Sequence, residues 1–179
     1  HEPVASIDLM ERAAGQLFKW ITDRFGRSDR IIIFAGPGNN GGDGLALARI
    51  LVANRYNAEI HYIKFTENTS RDWEINRLRL ETETMVQLNY ITSRDQFPII
   101  SSDAIIIDAI FGSGLTRPVE GLPGDIIKQI NRVDANIISI DIPSGLFGED
   151  NNKNLSDNIV KADNTLGFQF PKLSFMFTE

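Results

Sequence analysis

Apolar residues recur along the chain with two different periods, which predict alternating helices and strands. Between residues 7 and 25 they repeat every three or four positions, as on one face of a helix, with Ser6 as the expected N-cap. Short runs that are apolar at every position are typical of strands covered on both faces. Continuous or nearly continuous apolar runs predict strands over 31–35, 104–107 and 136–140, an alternating segment predicts one over 58–63, and a last strand is expected over 165–168. Further helices are predicted over 45–53, 69–85 and 125–132.

Strands that alternate with helices and are apolar throughout predict an α/β fold, in which a mostly parallel sheet carries helices on both faces. The segment 147–158 is polar and predicts a loop. With 179 residues, no internal repeat and no linker, we expect one domain over 1–179. Because the chain begins at His1 and stops after an apolar stretch, we also expect that it is truncated at both ends.

Composition narrows the classes of function. Eighteen Lys and Arg against 24 Asp and Glu leave a net charge of −6, which argues against a general nucleic-acid binder. No apolar run approaches the roughly 20 residues of a membrane span. The sequence has no cysteine and two histidines, His1 and His61, so disulfides, thiolate chemistry and His- or Cys-based metal sites are excluded or nearly so. Any catalysis must therefore use carboxylates, hydroxyls, amides, backbone groups or basic side chains. The cysteine-free composition also fits a cytoplasmic protein.

Three loops that follow strands carry the candidate chemistry. They span residues 36–44, 108–118 and 141–146. Because the carboxyl ends of parallel strands lie at one edge of a sheet, where ligands of such folds bind, we expect the three loops to meet.

The first loop reads Gly-Pro-Gly-Asn-Asn-Gly-Gly-Asp-Gly and includes G-x-G-x-x-G between a strand and a helix. Such glycines let the backbone approach a phosphate at a helix N-terminus, although the same pattern also fits a plain tight turn. Dinucleotide-binding folds also place an acidic residue at the tip of the second strand, but here Lys64 and Phe65 occupy that tip. This is a departure from the pattern of NAD dehydrogenases. No Gly-Lys-Ser/Thr follows the loop, so a Walker loop is excluded.

The second and third loops each begin with an acid at a strand end, Asp108 and Asp141. Glycines, hydroxyls and Arg117 in the second loop can hold phosphate oxygens, although a capping acid and a solvated arginine are as compatible with the sequence. Asn40, Asp108 and Ser144 together offer hard oxygen ligands, which suit an alkali or alkaline-earth cation rather than zinc.

Taken together, the segments 39–44, 108–114 and 141–145 resemble the YjeF N-terminal domain family, the NAD(P)H-hydrate epimerases. The segments 9–15 and 162–172 fit the same family. The resemblance implies a Rossmann-like three-layer αβα sandwich that is commonly dimeric. It implies an isomerase that interconverts the R and S epimers of hydrated NADH and NADPH (NADHX and NADPHX). An NAD(P)H-hydrate dehydratase, often fused in the same chain, then repairs the S form.

The resemblance also implies roles for individual residues. Asp141 would lie at the reactive ring and exchange a proton, and a potassium ion would lie among Asn40, Asp108 and Ser144. The hydrated dinucleotide would contact Asp141 and two segments: Asn39, Asn40, Gly41, Gly42 and Asp43; Gly112, Ser113, Gly114, Leu115, Thr116, Arg117 and Pro118. Two other functions stay open, a nicotinamide-dependent dehydrogenase or methyltransferase and a non-catalytic scaffold or ligand-binding domain. Neither membrane nor nucleic acid is expected as a partner.

Overall fold

Six strands and four helices alternate along residues 4–152 and 154–168, which the structure, a computed structural model, describes. Short 3-10 turns lie at Arg94–Gln96 and Ser156–Asn158. The elements are α1 (Ser6–Thr22), β1 (Ile31–Ala35), α2 (Asn39–Ala53), β2 (Ala58–Ile63), α3 (Arg71–Glu83), β3 (Leu88–Ile91), β4 (Ile105–Ala109), α4 (Gly121–Ile130), β5 (Asn136–Ile140) and β6 (Asn164–Leu166).

All six strands form one sheet in the order β3-β2-β1-β4-β5-β6, and every neighbouring pair is parallel. This order is the one found in dinucleotide-binding Rossmann folds. The chain runs outward from β1 to β3 and then returns to β4, so strand order reverses between β1 and β4. The predicted α/β class and parallel sheet are confirmed, and the loops after β1, β4 and β5 lie at the same edge.

Side chains alternate between the two faces of the central strands and build two cores. Ile31, Ile33 and Ala35 pack with α1, α2 and α3, whereas Ile32 and Phe34 pack on the other face with α4. The central strands are therefore buried on both faces, which explains why they are apolar at almost every position. In the described residues, every helix is too short or too polar to cross a bilayer.

The predicted cap of the first helix is wrong, and the bounds of α3 differ from the predicted 69–85. The helix α1 begins at Ser6 itself, whose hydroxyl donates to Asp72 Oδ2 at 2.5 Å instead of capping its own helix. The helix α3 is capped by Ser70, whose Oγ accepts from the Trp73 amide at 3.1 Å. It ends at Glu83, so Met85 lies outside it and is 99% exposed.

The largest difference from the sequence-based expectation is the start of α2, which begins at Asn39 and includes most of the glycine-rich segment. Close packing explains both the glycines and the helical start. A Cβ on Gly41 would lie 1.8 Å from the Gly36 carbonyl oxygen, and one on Gly36 would lie 2.0 Å from the Ile110 carbonyl oxygen. Glycine at these two positions lets the first turn of α2 pack closely against the loop after β4, independently of any role in ligand binding.

The other boundaries move by a few residues. The strand β4 continues to Ala109, so Asp108 lies inside the strand and not after it. The helix α4 begins at Gly121, four residues earlier than predicted, and β6 covers 164–166 instead of 165–168. The edge strand β3 was not predicted. The end of the family-like segment, Pro171 and Lys172, lies outside the described residues.

Candidate functional site

The loops after β1, β4 and β5 meet at the peptide groups of Phe111. Asn40 Nδ2, from the first turn of α2, donates to the Phe111 carbonyl oxygen at 2.9 Å. Ser144 Oγ, from the loop after β5, accepts from the Phe111 amide at 2.8 Å. Asn40 and Ser144 therefore both bond to one residue of the β4 loop, as the convergence of strand ends predicts.

Asp108 is fully buried at the centre of this cluster, at 0% exposure. Its Oδ1 accepts from Ser144 Oγ at 2.5 Å and from the Ile110 amide at 3.3 Å. Its Oδ2 accepts from Ser139 Oγ at 2.7 Å and from the Ser144 amide at 2.8 Å. Burial raises the pKa of Asp108, and these hydrogen bonds oppose that rise. The carboxyl thus joins β4, β5 and the β5 loop into one unit.

The same cluster provides oxygen atoms suited to a cation. Asn40 Oδ1 is buried and has no hydrogen-bond partner in the described part of the chain, which is costly unless something else satisfies it. The Nδ2 of the same amide bonds to the Phe111 carbonyl, and Ser144 Oγ links the Phe111 peptide to the Asp108 carboxyl. No group of three His, Cys, Asp or Glu residues that could hold a metal occurs among the described residues. One carboxylate among neutral oxygens fits a hard cation of low charge better than a transition metal.

Asp141 lies at the end of β5 in an unusual backbone conformation. Its φ is +67°, in the left-handed region that Asp tolerates better than most residues. Its amide donates to the Leu166 carbonyl at 2.9 Å, and its Oδ2 accepts from the Ser113 amide at 2.9 Å. A Cβ on Gly112 would lie 3.1 Å from that oxygen. Strained backbone of this kind is concentrated at functional sites, and here it aims the carboxylate across the β4 loop.

Asp43 adds a second carboxyl group on the same side of the sheet. It is partly buried on α2, one turn after Asn40. Burial raises the pKa of Asp43 to about 7, and the nearby charges of Asp141 and Asp72 add to the rise. At neutral pH this carboxyl therefore exists in both protonation states, which is the condition for proton transfer.

This raised pKa makes stability depend on pH. Because folded Asp43 holds its proton up to about pH 7 whereas unfolded Asp releases it near 3.8, stability falls as pH rises between those values and is flat above. Asp43→Asn removes this effect. From pH 5 to pH 8, the free energy of unfolding of the variant should therefore rise by about 3 kcal/mol relative to that of wild type, because wild type loses about 1.4 kcal/mol for each pH unit up to about pH 7. Urea unfolding at both pH values measures the gain, and equal changes in the two proteins would contradict the Asp43 assignment.

The segments expected to contact a dinucleotide lie around this cluster. Residues 39–43 form the first turn of α2, whose N-cap, Gly38, is exposed and offers no side-chain cap. The amides of such a turn have no acceptor within the helix and attract anions. In the loop after β4, Ser113, Gly114, Thr116, Arg117 and Pro118 are exposed and Leu115 is partly buried. The individual contacts with a ligand stay predictions.

Three participants were missed by the sequence analysis. Ser139 lies directly opposite Asp108 in the register of β4 and β5, but inside an apolar run it looks like an ordinary strand residue. The Phe111 peptide was missed because a backbone group leaves no sequence signal. Asp72 was assigned to the start of a helix, although its charge acts on Asp43. The serine in an otherwise apolar strand was the one usable signal.

Known proteins resemble this chain over nearly its whole length. An NAD(P)H-hydrate epimerase of Limosilactobacillus fermentum is 34% identical over 175 residues, which cover 94% of this chain and 77% of the relative. An NAD(P)H-hydrate epimerase of Oenococcus oeni is 33% identical over 174 residues, which cover 97% and 79%. The crystal structure of the yeast protein YNL200c matches with a TM-score of 0.76 at 24% identity, over 97% of this chain and 76% of that one, and supports the fold alone.

The family comparison covers the three loops and the elements that hold them. The model of the YjeF-related protein N-terminus matches residues 6–174. This range contains β1, β4 and β5 together with the loops that meet at Phe111. The chain therefore belongs to the YjeF-related protein N-terminus family.

Proposed function

We propose that this protein is an NAD(P)H-hydrate epimerase, an isomerase that interconverts the R and S forms of hydrated NADH and NADPH. The observation that carries the proposal is the pair of carboxyl groups, Asp141 and Asp43, at the loop edge of a Rossmann-type sheet. Relatives with this name at 33–34% identity support it. A scaffold domain has no use for a strained Asp141 beside a carboxyl whose pKa is about 7.

The chemistry needs a proton donor and an acceptor, and no hydride. In the hydrate, a hydroxyl group is bonded to C6, the ring carbon next to the nitrogen. When that hydroxyl is protonated, the nitrogen lone pair forms a double bond to C6, and the C6–O bond breaks to release water. Water that returns to the opposite face of the planar iminium inverts C6, and its surplus proton goes back to a base. Atoms and charge balance, and no oxidant or reductant is required.

Asp141 is the proposed proton-transfer residue. The Ser113 amide donates to its Oδ2 at 2.9 Å and so orients the carboxylate across the β4 loop, where it would exchange a proton with the substrate oxygen. Asp43, half protonated near pH 7 and subject to the charge of Asp141, would share the proton with it. The amides of residues 39–41 and the loop 112–118 would hold the pyrophosphate, because a chain of net charge −6 must attract an anion locally.

Potassium is the proposed resident ion, held by Asn40, Asp108 and Ser144. The buried Asn40 Oδ1, which has no hydrogen-bond partner among the described residues, supports this assignment, together with the Phe111 carbonyl that Asn40 Nδ2 bonds. When bound, such an ion would supply positive charge beside the dinucleotide. The residues themselves act by fixing the β4 and β5 loops, since Ser144 bonds both to Asp108 and to Phe111.

The proposed function implies further partners. An NAD(P)H-hydrate dehydratase, in the same chain or separate, must consume the S form, because epimerisation alone repairs nothing. A homodimer and a cytoplasmic location, the latter inferred from the cysteine-free sequence, also stay predictions.

A coupled assay tests the function. A mixed pool of R and S hydrates is given to an S-specific dehydratase, with and without this protein, and the R form is followed by chromatography. We expect the R form to disappear faster than its spontaneous epimerisation allows. An unchanged R decay with folded protein would favour the non-catalytic reading, and formation of an oxidised nicotinamide with an added carbonyl acceptor would favour the dehydrogenase.

A further inference from the structure

The tip of β2 is the part of the ligand edge that the proposed chemistry does not use. In the sheet order, β2 lies on one side of β1 and β5 lies two strands away from β1 on the other side. Lys64 and Phe65 follow β2, and Asp141 follows β5. Three strand spacings separate these tips, roughly 14 Å. That separation resembles the one between the two nucleoside halves of an extended dinucleotide.

A cleft of about 750 Å³ occupies the space above β2 and the loop after β4. Lys64 and Phe65 line one side of it, and Leu115, Arg117 and Pro118 of the proposed substrate loop line the other. The cleft therefore continues from the loop 112–118 away from Asp141. A dinucleotide whose nicotinamide lies at Asp141 and whose pyrophosphate lies on this loop would place its adenosine half here.

The residue type at the tip of β2 is informative about which adenosine fits. Dinucleotide folds place an acid at this position to bind the ribose 2′-hydroxyl, whereas a basic residue there accommodates a 2′-phosphate. Lys64 Nζ is paired at 3.0 Å with Glu67, whose side chain is 85% exposed. Exposed pairs of this kind are weak, so a phosphate dianion can replace Glu67. Arg117 adds a second positive charge, and Glu120 is the acidic residue that lines the same cleft.

An aromatic surface lies beside the lysine. The rings of Phe65 and Phe111 have centroids 5.5 Å apart at an interplanar angle of 43°, and Phe65 is 37% exposed. Aromatic side chains of this kind stack on purine bases. Phe111 also carries the peptide that Asn40 and Ser144 bind, so this surface is continuous with the candidate site.

We propose that the cleft binds the adenosine half of the substrate, with Phe65 against the adenine and Lys64 on the 2′-phosphate, so that Lys64 makes the enzyme prefer hydrated NADPH over hydrated NADH. The inference rests on the proposed function for the identity of the substrate. It goes further in assigning the adenosine half to a named cleft and the preference to one side chain.

Binding of two stable fragments tests the proposal without epimerisation. Adenosine 2′,5′-bisphosphate and AMP, which differ only in the 2′-phosphate, are titrated into wild type, Lys64→Ala and Phe65→Ala by calorimetry at low salt. Wild type should bind the 2′-phosphorylated fragment more tightly. Lys64→Ala should lose about 10- to 100-fold for that fragment, the usual value of one charge-assisted hydrogen bond, and little for AMP. Phe65→Ala should weaken both fragments by the same factor.

Lys128→Ala is the matched control, because it removes an exposed lysine from the last turn of α4, at the opposite end of that helix from the cleft. It should bind both fragments as wild type does. Equal losses for the two fragments in Lys64→Ala, or a loss in Lys128→Ala as large as in Lys64→Ala, would overturn the assignment of Lys64. Because the fragments carry no nicotinamide, these results are independent of the coupled assay, which alone decides the epimerase function.

Discussion

Asp141→Asn should lower the epimerisation rate by about 10²–10⁴-fold, the usual value of a positioned proton-transfer group, and leave the protein folded. Asn suits the variant because it tolerates the left-handed backbone of residue 141, where φ is +67°. Its amide oxygen can still accept from the Ser113 amide, so the β4 loop keeps its contact. The change therefore removes the proton exchange and the negative charge that acts on Asp43, and it keeps the Ser113 contact. Single-turnover epimerisation per folded molecule is the measurement.

The control for Asp141→Asn is Asp150→Asn, the same change at an exposed position of the following loop. It should epimerise like wild type. Affinity of Asp141→Asn for the hydrated cofactor should change only a few-fold, since the oxygen that bonds Ser113 remains. If Asp141 were structural alone, the variant would melt at a lower temperature and keep its rate per folded molecule. Wild-type turnover from well-folded Asp141→Asn would remove this residue from the mechanism. The assignment of the chain to its family would be unaffected.

Asp108→Ala should destabilise the protein by about 3 kcal/mol or more, because it leaves the buried amides of Ile110 and Ser144 without an acceptor at about 1–3 kcal/mol each. The hydroxyls of Ser139 and Ser144 also lose their acceptor, although they can rotate toward others. Removing a buried charge offsets part of the cost, and the cavity adds to it. The change in the free energy of unfolding is measured with urea.

Asp103→Ala is the matched change for Asp108→Ala, since Asp103 is an exposed aspartate just before β4. It should alter stability by no more than about 0.5 kcal/mol. Asp108→Asn, which keeps the shape, tests the ion. Exchange of sodium for potassium should raise the melting temperature of wild type and leave that of Asp108→Asn unchanged. An equal rise in the melting temperatures of wild type and Asp108→Asn would mean that potassium acts at another place. A small loss of stability in Asp108→Ala would mean that other groups can replace the four hydrogen bonds of Asp108.

The sequence predicted those elements whose environment is uniform. The strands β1, β2 and β5 match their predicted bounds. In β1 and β5 the signal is a nearly continuous apolar run, as in strands covered on both faces, whereas β2 alternates apolar residues with Glu59 and His61. The edge strand β3 escaped prediction since only Ile91 of its four residues is buried. The start of α2 was misplaced because glycine and asparagine disfavour helices, whereas tertiary packing at Gly36 and Gly41 outweighs that preference.

For the candidate site, the sequence predicted the meeting of loops but not the bonds. Asp108 and Ser144 were expected to lie close together because parallel strands end at one edge, and a hydrogen bond of 2.5 Å joins them. The contribution of Phe111 depends on its backbone, which any residue would provide. The raised pKa of Asp43 follows from burial and from the carboxylates of Asp141 and Asp72, which are distant in sequence. No local sequence pattern reports the combined effect of burial and these two charges.

The hydrogen bonds of Asp108 also have a consequence for how the protein is made. Ser139 and Ser144, which supply three of its four bonds, follow it by 31 and 36 residues. When β4 leaves the ribosome, these donors have not yet emerged from it, and a carboxylate without them resists burial. We therefore expect β4 to dock beside β1 only after β5 and its loop have emerged. The ligand edge, which needs the loops after both β4 and β5, therefore forms in one late step and not loop by loop.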